Sequence, residues 1–275
     1  MTVLLAGLCT IDVVQRVDEL PAPGEKVQSR SVEVAAGGPA TNAAVTVAAL
    51  GDSATLLTAL GPHPLAALAR ADLAAHGVEV IDAAPDSTHP PALSAVAVRE
   101  RDGERTVVSR NAGQSLVELP AFEVKARTVL VDGHHPRLAL GVARWARERE
   151  VPVVLDAGSW KPVFDDLLPL VDYAACSARF AGSARDLLDR GVGTVVLTAG
   201  PDPVRWWTSR DSGEVRVPVV EARDTLGAGD VWHGAFAYGL GKFELPELIR
   251  FANEVAAERV RHSGPRSWVQ RIGAR

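Results

Sequence analysis

The chain has 275 residues, 47% of them hydrophobic, which supplies a sizeable core and excludes a mainly disordered protein. Its net charge is −5 with the basic residues scattered, so it carries no electrostatic footprint for nucleic acid. Two cysteines, Cys9 and Cys176, are too few for a disulfide framework, and no apolar run reaches the roughly 18 residues of a membrane span. The expectation is a cytoplasmic protein with small-molecule partners and no membrane or nucleic-acid partner.

From the N-terminus, Val3–Leu5 reads as a short buried strand, and Gly7 to Asp12 follow it. That puts Asp12 at a strand end, where ligands of open α/β sheets bind and where a carboxylate can accept hydrogen bonds from two hydroxyls. A turn aspartate fits the same position. Val27–Val34 alternates polar and apolar residues, and Ala36-Gly37-Gly38-Pro39-Ala40-Thr41-Asn42 leads into a helix over Thr41–Leu50. Gly37 and Gly38 permit close backbone approach, and Asn42 offers a donor and an acceptor suited to a polyol; a glycine turn with Thr41 as N-cap fits equally well.

Helical spacing recurs over Leu65–His76, Leu138–Glu150, Arg179–Arg190 and Pro246–His262, with strands expected at Thr128–Val131, Val151–Leu155 and Thr194–Thr198. Strand alternating with helix predicts a doubly wound, mostly parallel α/β sheet forming a single domain over residues 1–275. Leu93–Val98, Asp102-Gly103 and Arg105–Ser109 predict a hairpin. Together with the early alternating segment it would form a small β lid from about residues 12–34 and 92–110, or an edge extension of the main sheet.

Asp224-Thr225-Leu226-Gly227-Ala228-Gly229-Asp230 is the most informative stretch, because its small residues precede an apolar helix. The first N–H groups of that helix would face a bound anion, with the Asp230 carboxylate beside them. This suits phosphoryl transfer, with the amides stabilising the moving phosphoryl group and Asp230 taking the proton of an attacking hydroxyl. A simple helix cap is the plainer reading of Asp230.

The two glycine-rich segments, in this order, resemble the paired signatures of the ribokinase-like (PfkB) carbohydrate kinases over nearly the whole chain. The resemblance implies an ATP- and Mg²⁺-dependent sugar kinase with Asp230 as base and Gly227, Ala228 and Gly229 as the anion hole. It further implies sugar binding by Asp12, Gly37, Gly38 and Asn42, and nucleotide binding by Thr198, Gly200, Thr225, Gly227, Gly229 and Asn253. Asp224 falls where some relatives bind a monovalent cation such as K⁺, and some relatives dimerise through the lid. Asp230-Val231-Trp232-His233-Gly234 and Val154 to Gly158 are similar to the sulfofructose kinase branch, in which Lys26 would face a sulfonate; the Asp224–Asp230 string also resembles ketohexokinase. His134 and His135 follow a strand and are expected to reach the sugar pocket.

Two departures stand out. Where many relatives carry Asn-x-x-Glu to organise Mg²⁺, this chain reads Ser177-Ala178-Arg179-Phe180, and the acidic loop after the third strand reads Gly61-Pro62-His63-Pro64. A nucleoside kinase and a catalytically weak sugar-binding protein on the same fold are the alternatives. The chain lacks Gly-x-Gly-x-x-Gly after its first strand, Gly-x-x-x-x-Gly-Lys-Ser/Thr and Gly-x-Ser-x-Gly, which argues against a dehydrogenase, a P-loop ATPase and a hydrolase.

Overall fold

In the structure, a computed structural model that describes residues 1–112 and 117–273, the short Val/Leu runs become strands covered on both faces. The first half of the chain forms β1 (Thr2–Ala6), β2 (Thr10–Val17), β3 (Ser31–Gly37), α1 (Pro39–Ala49), β4 (Ala54–Thr58), α2 (Pro64–Ala75), β5 (Val78–Asp82), β6 (Ala92–Arg99), β7 (Arg105–Arg110) and β8 (Ala126–Val131). There follow α3 (Pro136–Arg147), β9 (Val153–Ala157), α4 (Phe164–Leu167), β10 (Tyr173–Ser177), α5 (Ala184–Asp189), β11 (Thr194–Ala199), β12 (Asp202–Thr208) and β13 (Ser212–Val215). Three helices close the chain: α6 (Ala228–Gly239), α7 (Leu245–Val260) and α8 (Val269–Ile272).

The main sheet runs β13-β12-β11-β10-β9-β8-β1-β4-β5. It is parallel from β11 to β5, and β12 and β13 add an antiparallel edge. Because β1 sits between β4 and β8, the strand order reverses there and opens a crevice beyond its carboxyl end. One apolar cluster joins α1, α2, α6 and α7 to one face, and a second joins α3, α4 and α5 to the other. The mixed α/β, doubly wound class read from the sequence is the one observed.

A separate four-stranded sheet, β3-β2-β6-β7, projects from this core. Its inner face buries Val14, Val96 and Val98 against Leu226. Its outer face leaves Val32, Val34 and Val108 exposed, Val108 at 71%. The hairpin register Val98↔Arg105 matches the sequence reading of that turn. Two expected elements are shorter than read. β3 begins only at Ser31, after a loop through 27–30, and the helix expected over Arg179–Arg190 is confined to Ala184–Asp189, capped by Ser183. Phe180 is withdrawn from that helix to pack against Trp160 and Phe164.

Candidate active site

Gly227, with φ of 73°, adopts the left-handed conformation that turns the chain into α6. Ala228 and Gly229 are therefore the first two helical residues and Asp230 the third. A side chain at Gly229 would meet no atom within 4 Å, so a ligand can approach the backbone there. The Ala228 N–H turns back to Thr225 O at 3.3 Å, whereas those of Gly229 and Asp230 have no backbone acceptor among the described residues. With the helix dipole behind them, two such donors are an arrangement suited to an anion. Asp230 does not cap its own helix. Its Oδ2 instead accepts a 2.8 Å hydrogen bond from Asn42 Nδ2.

That bond joins the two glycine-rich segments. Gly38, with φ of 98°, is the residue before α1, and Thr41 donates to Leu8 O at 3.0 Å instead of capping the helix. A side chain at Gly37 would strike the Asp12 carboxylate, so glycine is what lets β3 pass so close to β2. Thr10 Oγ1 donates to Asp12 at 2.6 Å, yet burial pushes the Asp12 carboxyl above its ordinary value. Arg266, from the C-terminal segment, donates to Asn42 Oδ1 at 3.2 Å, which aims the amide's NH₂ at Asp230. The same guanidinium is anchored by an ion pair with Asp72 at 2.9 Å.

Electrostatics concentrate around Asp230. Burial, reinforced by the Asp156 carboxylate, pushes its carboxyl up to about 7, while Asn42 and His233 act in the opposite direction. His233 lies one helical turn after Asp230 and stands 2.8 Å from Asp156 Oδ2, at an angle suited to an ion pair rather than a hydrogen bond. Burial opposes charge on His233, but Asp156 outweighs it and raises the imidazole above its ordinary value. Asp156, buried at the end of β9, is in turn held below its ordinary value by His233 against the effect of burial. A third carboxylate, Asp132 at the end of β8, accepts from Leu8 N at 2.9 Å, Ala40 N at 3.2 Å and His134 N at 2.9 Å. It thereby pins three turns around the crevice.

The remaining expected residues separate into those near the loop and those away from it. Thr225 receives a 3.1 Å hydrogen bond from Arg105 of β7, so the projecting sheet touches the anion loop directly. Thr198 and Gly200 lie at the turn from β11 to β12, with Thr198 Oγ1 donating to Cys176 O at 3.3 Å. His135, rather than His134, lines a cavity of about 430 Å³ below the projecting sheet, together with Leu8, His89, Arg110 and Asn111. His134 faces Asp132, Lys161 and Asp156 instead, and burial lowers both imidazoles below their ordinary values.

Three expected residues stand apart from the loop or are engaged by other parts of the chain. Lys26 is exposed in the loop between β2 and β3 and makes no hydrogen bond or ion pair among the described residues, so nothing ties it to the pocket. Asn253 is 2% exposed and both ends of its amide are taken, accepting from Trp232 Nε1 at 2.7 Å and donating to Arg216 O at 3.2 Å. It thereby braces α7 against α6. Asp224 does not fit a monovalent cation, because its carboxylate is already filled. Arg16 lies at 3.1 Å and Arg259 at 3.5 Å, and Leu226 N and Gly264 N donate at 2.9 and 3.0 Å. For Mg²⁺, no cluster of three ligating side chains occurs among the described residues, and Phe180 stands where the relatives' glutamate is expected.

Against known proteins, the model of the pfkB family of carbohydrate kinases matches residues 2–271. This chain belongs to that family. It is 26% identical to the ribokinase of Bacillus subtilis over 271 residues, covering 93% of this chain and 91% of the relative. It is 28% identical to an ATP-dependent ribose-1-phosphate kinase of Halopiger xanaduensis over 281 residues, covering 96% and 94%. A crystal structure of a putative ribokinase from Agrobacterium tumefaciens superposes with a TM-score of 0.86 at 26% identity, covering 99% of this chain and 96% of that one. A phosphotransferase of the sugar or nucleoside kinase type is thereby supported, and no helix among the described residues is long and apolar enough to cross a membrane.

The sequence reading did not single out His233 as a site residue, nor Asp156, Asp132, Arg259 or Arg266. His233 was within reach of it, since three residues after Asp230 is the same face of a helix. Asp156 and Asp132 end strands as Asp12 follows one. Nothing local marks Arg259 or Arg266, whose partners come from distant segments.

Proposed function

We propose that this protein is an ATP-dependent kinase that phosphorylates a hydroxyl of a sugar or sugar derivative. The observation that carries the reading is the 2.8 Å hydrogen bond from Asn42 to Asp230, which brings the two glycine-rich segments together as a site with an acceptor end and a phosphoryl end would require. The acceptor would lie between Asp12, Asn42 and the Gly37–Gly38 turn, and the γ-phosphate against the N–H groups of Gly229 and Asp230. In-line attack by the hydroxyl transfers the phosphoryl group to it with loss of ADP, and its proton passes to Asp230. A carboxyl raised to about 7 is a better proton acceptor than an ordinary aspartate at neutral pH, so burial and the neighbouring Asp156 carboxylate support that role. Mg²⁺ would enter on the nucleotide phosphates and neutralise their charge there. Thr198 and Gly200 are the nucleotide contacts this reading retains.

Two further parts belong to it. The cytoplasm is the compartment, since that is where ATP is supplied. A second copy of this chain covers the outer face of the projecting sheet, because that face sets Val34, Val13, Ala95 and Val108 in one cross-strand row. Sedimentation velocity tests the dimer, and a monomer at every concentration removes it.

A coupled ADP-release screen over pentoses, hexoses, ketoses, sugar phosphates, sulfosugars and nucleosides, with product mass measured, tests the function. Phosphorylation of a sugar class supports the reading. Phosphorylation of nucleosides alone replaces it with the nucleoside kinase. Binding of a sugar without any transfer replaces it with the binding protein.

A further inference from the structure

We propose that the Arg259 guanidinium is a cation built into the chain, holding the anion loop in its working shape and making turnover independent of monovalent cations. The proposal rests on the kinase reading and concerns how its phosphoryl site is kept in order. Arg259 projects from α7 and is 2% exposed. Its donors reach Leu226 O at 2.6 Å, His262 O at 2.8 Å and Asp224 O at 3.4 Å, and it stands 3.5 Å from the Asp224 carboxylate.

Three backbone carbonyls and a carboxylate converging on one buried point are the donor set that strips and holds a small monovalent ion. Here a guanidinium occupies that point, and its several N–H groups satisfy those oxygens individually, which a spherical ion does only by size. A second guanidinium, from Arg16 of β2, closes the other side of Asp224 at 3.1 Å.

The position links this cation to the chemistry. Leu226, whose carbonyl Arg259 grips, immediately precedes the left-handed Gly227 that turns the chain into α6. Arg259 also borders a small cavity with Gly227, Asn42 and Asp12, between the two halves of the site. Fixing the Leu226 peptide therefore fixes the direction of the N–H groups that follow, which is what an anion hole requires before the phosphoryl group arrives. Arg259 is a positioning residue in this role and touches neither substrate.

The test compares KCl with choline chloride at equal ionic strength, so that only the identity of the cation changes. For wild type, both kcat and the melting temperature should be the same in the two salts. Arg259→Gln should lose roughly tenfold or more in kcat in choline chloride, with the acceptor KM little changed, and recover on adding K⁺ or guanidinium. A wild-type enzyme stimulated severalfold by K⁺, or melting higher in it, overturns the proposal. So does an Arg259→Gln enzyme that keeps full kcat in choline, or one that is inactive and rescued by neither cation, since a merely structural arginine gives that result. If this variant does not fold, Arg259→Lys replaces it and should stay indifferent to K⁺; stimulation of that variant overturns the proposal. Absence of phosphoryl transfer to any acceptor removes the kinase reading instead, and the melting comparison then decides Arg259 alone.

Discussion

The glycine loop before α6 and the projecting sheet meet at Thr225 and Leu226 but are held in different ways. The loop opens α6, which is buried along most of its length between α1 and α7, and its flanks are tied by Arg259, Arg16 and Gly264 to Asp224. The sheet packs three valines against Leu226, enters the core at its base through Ile11 and Ala36 and lends Arg16 to Asp224, but its edge strand β7 is exposed along its whole length. Under the proposed function, catalytic groups need fixed geometry and a cover must move for an acceptor to enter, which suits a tied loop and an exposed outer strand. Changes in the first region should therefore abolish turnover or folding, and changes in the second should alter selectivity or assembly.

The largest expected effect is that of Asp230→Asn, which removes the proton acceptor and should lower kcat roughly 10³-fold while acceptor binding by calorimetry persists. Its stability should move the other way. A carboxyl raised to about 7 in the folded state carries no burial penalty while protonated, and the penalty develops as pH climbs from the ordinary value near 3.8 through 7. Asp230→Asn should accordingly raise the melting temperature at pH 8 and leave it almost unchanged at pH 3. A variant with near wild-type turnover removes Asp230 from the mechanism.

Next comes the packing that supports the loop. A Cβ at Gly234 would lie 2.6 Å from Ala43 O, so α1 and α6 touch backbone to backbone only because that residue is glycine. Gly234→Val should cost about 3 kcal/mol in denaturant unfolding and displace Asn42 and Asp230 together. Unchanged stability would show that the two helices can part without loss.

How much of this the sequence disclosed follows the same division. The strands β1, β8, β9 and β11 and the loop before α6 were legible because glycine, small residues and short apolar runs are local signals. The other strands of the main sheet were not, among them the buried Ala54–Thr58, Tyr173–Ser177, which is built on Ala and Cys, and Asp202–Thr208, which Arg205 breaks between buried Val204 and Trp206. Asp12, Asn42 and Asp230 could be named as candidates, but their contact depends on the packing of α1 against α6. Lys26, Asn253 and Asp224 show the converse. Their positions matched a family pattern, while in the fold Lys26 stands exposed and partners elsewhere in the chain engage Asn253 and Asp224.

A smaller effect is expected at the bridge between the two halves. Asn42 donates to Asp230 and lowers its pKa, so Asn42→Ala should move the acidic limb of the kcat/KM profile from near 7 to higher pH. Turnover requires the deprotonated carboxylate, so the loss should be greatest below the midpoint and shrink as pH rises. The acceptor KM should rise roughly tenfold from the missing hydrogen bonds. A limb that stays in place would mean that the profile reports a group other than Asp230.

The smallest effect on chemistry should come from the outer face of the projecting sheet. Val108 is 71% exposed and shares a cross-strand row with Ala95, Val13 and Val34, on the side away from Leu226. A lysine there places a charge in the row without touching Asp12 or Ser94, whose side chains belong to the inner face. Val108→Lys should convert a dimer to a monomer by sedimentation velocity and change kcat by less than about threefold, since its cost is paid at a solvated edge. A large loss of kcat in a variant that has become monomeric would mean the second copy helps hold the cover over the site. The loosely held region would then owe part of its order to assembly, and the contrast with the anion loop would hold only for the monomer.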